Sequence, residues 1–130
     1  MNDLSYERHT DRSVEEAVRR LGEELGRRGF GILATLPVHQ ILKDKIGKEI
    51  PTLVILEVCS PAYAYRALEA SRDTSLLLPC KIVVSLEKQG TRLALQRPTV
   101  VLSAFHPLPA LRSLGEEVES KLREALDAAV

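Results

Sequence analysis

The chain has 130 residues, with 18 Lys and Arg set against 18 Asp and Glu for a formal net charge of +0. That balance argues against a dedicated nucleic-acid binder, which carries a basic excess, and against a polybasic membrane patch; with 4% aromatics and no Trp, stacking platforms for bases are poorly supplied. The length suits one domain able to bury roughly two thirds of its unfolded surface, and 45% hydrophobic with 28% charged residues is ordinary globular usage.

The N-terminus shows no apolar run after a basic start, so it does not read as a secretory signal. The apolar stretches Leu53–Leu56 and Leu76–Leu78 fall far short of the roughly 20 residues that span a bilayer. A cytoplasmic protein without membrane contact is the expectation. In that reducing compartment Cys59 and Cys80 are expected to be free thiols.

A first extended segment is expected from Leu4 to His9. Ser13-Val14-Glu15-Glu16 fits a capping box, in which Ser accepts from the third amide and Glu reaches back. Val14, Ala17, Val18, Leu21 and Leu25 follow at helical spacing. Arg27 and Arg28 suit the helix's negative end, and Gly29 supplies a left-handed stop. Phe30, Ile32, Ala34 and Leu36 alternate as a strand that Pro37 ends. Val38, Ile41, Leu42 and Ile46 make a short helical stripe stopped by Gly47. Thr52 to Val58 is almost wholly apolar and branched, the pattern of a strand buried on both faces.

Ser60-Pro61 reads as an N-cap with Pro in the first helical position. The helix runs on to Ala70, with Tyr65 and Leu68, and Ala64 beside them, turned inward. Lys81 to Leu86 is a strand, Glu87 to Gly90 a hairpin turn, and Thr91 to Leu95 the answering strand. After Arg97-Pro98, Thr99 to Phe105 reads as a further strand. Pro107 and Pro109 precede a last helix whose stripe is Leu111, Leu114, Val118, Leu122 and Leu126. On its outer face Glu117–Lys121 and Glu119–Arg123 are spaced for ion pairs of a few tenths of a kcal/mol. The order βαβαβαβββα implies an α+β class, a two-layer sandwich of sheet and helices, in a single domain over 1–130.

Dinucleotide, phosphate-loop, zinc-protease and serine-hydrolase motifs are absent. There is no C-x-x-C to signal a redox motif or zinc ribbon. Gly29-Phe30-Gly31 sits at a helix end entering a strand, the reverse of a phosphate-binding turn. His9, His39 and His106 are scattered, with no second ligand at metal spacing. His39 reads as solvated, His106 as a turn residue and Arg66 as an exposed helix residue. Of Tyr63 and Tyr65, at least one should be core.

Cys59 ends the apolar strand immediately before the Ser60–Pro61 helix start. A helix start carries free amides and about half a positive charge, which lowers a thiol's pKa. Glu57 lies two residues earlier, on the same face of the strand, and is a lone carboxylate in an apolar run. Cys80 opens the next strand, and Lys81 after it is placed to pair with Glu57. If the two strands are antiparallel neighbours, the cysteines share one end of the sheet. If they are parallel, they stand roughly 20 Å apart. The spacing alone leaves both arrangements open, and free cysteines are also ordinary small hydrophobes of a core.

The segment Thr52-Leu53-Val54-Ile55-Leu56-Glu57-Val58-Cys59-Ser60-Pro61, followed by Leu77-Leu78-Pro79-Cys80-Lys81-Ile82-Val83-Val84, resembles the DUF302 family of domains of unknown function. The Gly90 turn, Pro98-Thr99 and the helix leading to Gly29-Phe30-Gly31-Ile32-Leu33 extend the resemblance over nearly the whole chain. It implies a curved, mainly antiparallel sheet backed by helices, and a homodimer. It supplies no catalytic roles. Cys59, Pro61, Pro79 and Cys80 match the family pattern, while Ser60 stands where members often have Asn.

Three functional readings follow. One is a binding module with Glu57, Cys59, Ser60 and Cys80 around a ligand or metal, zinc being the expected ion for Cys59, Cys80 and Glu57. Another is a structural or interaction protein that forms a homodimer and has no chemical site. The third is a thiol-dependent enzyme.

Overall fold

The computed structural model describes residues 3–105 and 108–130; His106 lies outside them. Among the described residues the strands are β1 (Ser5–Thr10), β2 (Gly31–Pro37), β3 (Leu53–Cys59), β4 (Cys80–Glu87) and β5 (Gly90–Gln96). The helices are α1 (Val14–Arg27), α2 (Val38–Ile46), α3 (Pro61–Ala70), α4 (Pro98–Val101) and α5 (Pro109–Ala129). Short 3-10 turns occupy Arg72–Leu76 and Leu102–Phe105. The strands form one sheet in the order β1-β5-β4-β3-β2, with every neighbouring pair antiparallel. The fold is α+β, as the sequence implies.

The first helix shows how local rules set the frame. Ser13 accepts from the Glu16 amide at 3.1 Å. Only half of the capping box forms, because the Glu16 carboxylate turns to Arg19 at 2.6 Å. At the other end the Phe30 amide donates to the Leu25 carbonyl at 2.9 Å and the Gly29 amide to Gly26 at 3.2 Å, with Gly29 at φ 83°. This paired closure satisfies the last carbonyls and seats Phe30 and Leu25 together in the core. The α1 face of Val14, Ala17, Leu21 and Leu25 and the α5 stripe of Leu111, Leu114, Val118, Leu122 and Leu126 are buried. They join Val54, Leu56, Val58, Ile82, Val84, Leu93 and Leu95 from alternate strand positions in one core.

Four expectations are corrected. Thr99 to Phe105 is not a strand: Pro98 opens α4, and a 3-10 turn follows. Pro98 removes an amide that a ladder would use, while the Thr99 amide donates to the Glu119 carboxylate at 3.1 Å. β3 is not buried on both faces; Val54, Leu56 and Val58 are buried and the alternate residues only half-buried. In α3 the inward face is Ala67 with Tyr63 packed against the core, while Tyr65 and Leu68 are exposed. That phase lets α3 pack on α5. Finally α2 buries none of its stripe, although Gly47 ends it at φ 68° as expected.

Candidate functional site

The β3–β4 register decides the cysteine question. Val58 stands opposite Cys80 and Glu57 opposite Lys81, so the strands are antiparallel and both cysteines lie at one end of the sheet. Glu57 and Lys81 form the expected pair, with Lys81 Nζ donating to Glu57 Oε1 at 2.6 Å. The other oxygen, Oε2, is buried and has no hydrogen-bond partner among the described residues. Cys80, opposite the core residue Val58, packs against the core. Cys59, the last residue of β3, stands opposite Gly31 on the edge strand.

Ser60 has the extended backbone of an N-cap and Pro61 opens α3, but the Ser60 side chain makes no capping bond. The Ser60 carbonyl instead accepts from the Ala64 amide at 2.9 Å. Ser60 is buried and lines a cavity of about 50 Å³ together with Cys59, Cys80, Phe30, Tyr63 and Leu114. Further walls come from α3, from Leu77-Leu78-Pro79 before β4, and from α4 and α5. Phe30 and Tyr63 stack at 5.7 Å between centroids. The Tyr63 hydroxyl donates outward to Glu117 at 2.9 Å, and Arg66 meets the same carboxylate at 3.3 Å. Glu117 thus turns to α3 rather than pairing with Lys121.

Both thiols are free. The helix start does not activate them. Burial raises the Cys59 pKa above its ordinary value. Burial, and then the charges of Cys59 and Glu57, push Cys80 up to about 11. Taking a thiolate out of water outweighs the short α3 dipole, so both thiols are protonated at neutral pH. The structure therefore brings Cys59, Ser60 and Cys80 to one cavity and turns Glu57 to Lys81. Among the described residues, no group of three or more His, Cys, Asp or Glu side chains is arranged to hold a metal ion.

His39 is not simply solvated. Its Nδ1 lies 3.2 Å from the Leu53 amide and 3.1 Å from the Leu53 carbonyl, tying α2 to β3. Nδ1 accepts from the amide in one tautomer and donates to the carbonyl in the other, so the tie has a partner either way.

A second polar cluster escaped the sequence reading. Glu119 reads as a surface partner of Arg123, yet its side chain is only 7% exposed. Its Oε1 accepts from the Thr99 amide at 3.1 Å and the Thr99 hydroxyl at 2.6 Å. Its Oε2 accepts from Arg97 Nε at 3.0 Å and Arg123 Nε at 3.1 Å. The available signal was Gly115, four residues earlier and also buried, which lets α4 approach this edge of the α5 stripe. With every acceptor used, Glu119 clamps α4 onto α5.

The family described as "Domain of unknown function DUF302" matches residues 6–129. The chain belongs to the DUF302 family. Its structure is similar to the crystal structure of an uncharacterized conserved DUF302 protein from Bacillus stearothermophilus, at 31% identity and a TM-score of 0.93. That likeness covers 99% of this chain and 100% of the other. No curated protein matches this DUF302 chain. Among its described residues, no helix is long and apolar enough to cross a membrane.

Proposed function

We propose that this DUF302 domain is a binding module whose cavity beside Cys59 and Cys80 takes a small, largely apolar ligand. The observation that carries the reading is the cavity itself: two free thiols and Ser60 in a wall otherwise dominated by apolar and aromatic side chains. Such a site, an apolar hollow with a few convergent polar groups, is the usual form of a small-molecule pocket. The raised thiol pKa values favour soft contact over nucleophilic attack, which needs the thiolate. Xenon, an apolar atom small enough for a hollow of this size, is a direct probe. Its titration should give saturable NMR shifts at Phe30, Tyr63 and Leu114, abolished by filling the cavity with Ala64→Leu. Unchanged spectra under xenon pressure would overturn the reading.

A specific observation also favours association with a second copy of the chain. Leu33 is 67% and Ile46 64% exposed, and Leu36, Ile41 and Ile50 on the same stretch are exposed too. Leu33 and Leu36 belong to the edge strand, Ile41 and Ile46 to α2, which has no buried residue, and Ile50 to the segment between α2 and β3. The bulge in β2 between Ile32 and Ala34 aims Leu33 outward. β2 carries no charge, so two copies meeting about a two-fold axis place no like charges together there. The test is the oligomeric state in solution.

A further inference from the structure

We infer that the cavity selects a neutral molecule of a few heavy atoms with a single oxygen, of the short-chain alcohol class, and that Ser60 is the residue that reads this oxygen. The inference rests on the cavity reading above and names a ligand class for it.

Size comes first. A hollow of about 50 Å³ has about a third the volume of the ~150 Å³ apolar cavity that takes the six carbons of benzene, so it admits about two or three heavy atoms. Its walls carry no charged side chain, so an ion would lose its hydration without a counter-charge.

Ser60 supplies the polar contact. It is only 6% exposed, and its backbone is extended at φ −111° and ψ 117°. Strand alternation therefore carries on from β3, and Ser60 points to the same face as the core residue Val58, which also lines the cavity. The Ser60 hydroxyl makes no capping bond and has no other partner among the described residues. Its oxygen is not sealed off as Glu57 Oε2 is. A buried hydroxyl left unpaired is costly, and a ligand oxygen in the hollow is placed to pair it. The other polar liners are spent, turned away or weak. Tyr63 gives its hydroxyl to Glu117. Cys59 and Gln96 stand at strand positions that alternate away from the core residues Val58 and Leu95. Cys80, opposite Val58, adds a thiol on the Ser60 face, a weak donor.

That count sets the polarity of the ligand. A water needs about two to four polar partners to be held, and the hollow offers one strong partner and one weak. A purely apolar occupant leaves the Ser60 hydroxyl unpaired. A short alcohol suits both features: its oxygen meets Ser60, and its carbons lie against Phe30, Leu114 and Val118.

The experiment is an NMR titration of the full chain with ethanol, with xenon as the apolar comparator. Ethanol should give saturable shifts at Ser60, Phe30 and Leu114. Ser60→Ala, which breaks no capping bond, should weaken ethanol roughly fivefold to tenfold, the worth of one hydrogen bond, and leave xenon no weaker. Formate, as small as ethanol but charged, should give no saturable shift at these residues. In the parent chain, intermolecular NOEs should place the ethanol methylene, not its methyl, beside Ser60, a readout independent of whether the variant folds. Equal weakening of ethanol and xenon in Ser60→Ala, an unchanged ethanol affinity there, a methyl beside Ser60 or saturable formate shifts would each overturn the inference. Xenon shifts without ethanol shifts remove this inference alone; absence of xenon shifts removes the cavity reading itself.

Discussion

Two carboxylates of this chain, Glu57 and Glu119, have opposite histories in the sequence. Glu57 stood out because a strand alternates, and a charge inside Leu-Val-Ile-Leu-Glu-Val has to find a cross-strand partner; Lys81 was readable as that partner. Glu119 was hidden because a helix surface offers many Glu–Arg spacings, and nothing in the chain marks which one another element will cover. Its environment nevertheless has the larger consequence for stability. Burial pushes its pKa up, but bonds from the Thr99 hydroxyl, Arg97 and the Thr99 amide outweigh that and hold it below its ordinary 4.5. Glu7 is drawn down to about 2 by Arg92 and Ser5. A carboxylate whose folded pKa is depressed adds stability that is present above its unfolded pKa and lost as pH falls through the folded one. The urea midpoint of the protein should therefore fall between about pH 4.5 and 2, and Glu119→Gln should flatten part of that fall. A midpoint that is level across this window would contradict the assignment. At neutral pH Glu119→Ala, which strands the Thr99 amide and two guanidinium groups, should cost about 2–3 kcal/mol in urea unfolding.

At the scale of elements, the capped helix, the Gly29 stop, the β4–β5 hairpin and the α5 stripe were legible because each is specified by residues within a few positions. α4 was not. Thr99-Val100-Val101 is β-branched and reads as strand, yet Pro98 opens a helical turn and Glu119, twenty residues away, takes the freed amide. The competing signal lay in a tertiary contact. Two glycines give a direct comparison of local and tertiary constraint. Gly29 and Gly90 both have positive φ, at 83° and 111°. A Cβ at Gly29 meets nothing within 4 Å, whereas at Gly90 it falls 2.7 Å from the Thr10 carbonyl oxygen. Gly29→Ala should therefore cost only the left-handed backbone penalty, about 1–2 kcal/mol. Gly90→Ala should cost more, because β1 must also shift away from the hairpin. Equal losses in thermal unfolding would show that β1 yields freely there. Ser13→Ala, losing half a capping box, should cost about 1 kcal/mol.

For the molecule as a whole, neutral net charge and complete core periodicity say little about partners, but the distribution of exposed apolar side chains is uneven. The helical layer covers one face of the sheet, and α1 and α5 supply most of that cover. The chain from Leu33 to Ile50 contributes Leu33, Leu36, Ile41, Ile46 and Ile50 to the exposed surface. Scattered exposed apolar residues are ordinary, whereas a concentration of them marks an interaction surface. The stripe of α2 was legible in the sequence; that it would face outward was not, because periodicity shows which face is apolar and not whether the same chain covers it. The proposed two-fold association makes a measurable claim. Sedimentation should give twice the 14.4 kDa of one chain, and the double variant Leu33→Lys with Ile46→Lys should sediment as a single chain with its circular dichroism unchanged. Since neither side chain is buried within the chain, these charges should not disturb the fold and act only on the seam. The parent's unfolding temperature should then rise with protein concentration while the variant's does not, as mass action requires of a folded state stabilised by its own copy. A parent that sediments as one chain at every concentration would remove the second copy as the occupant of this surface.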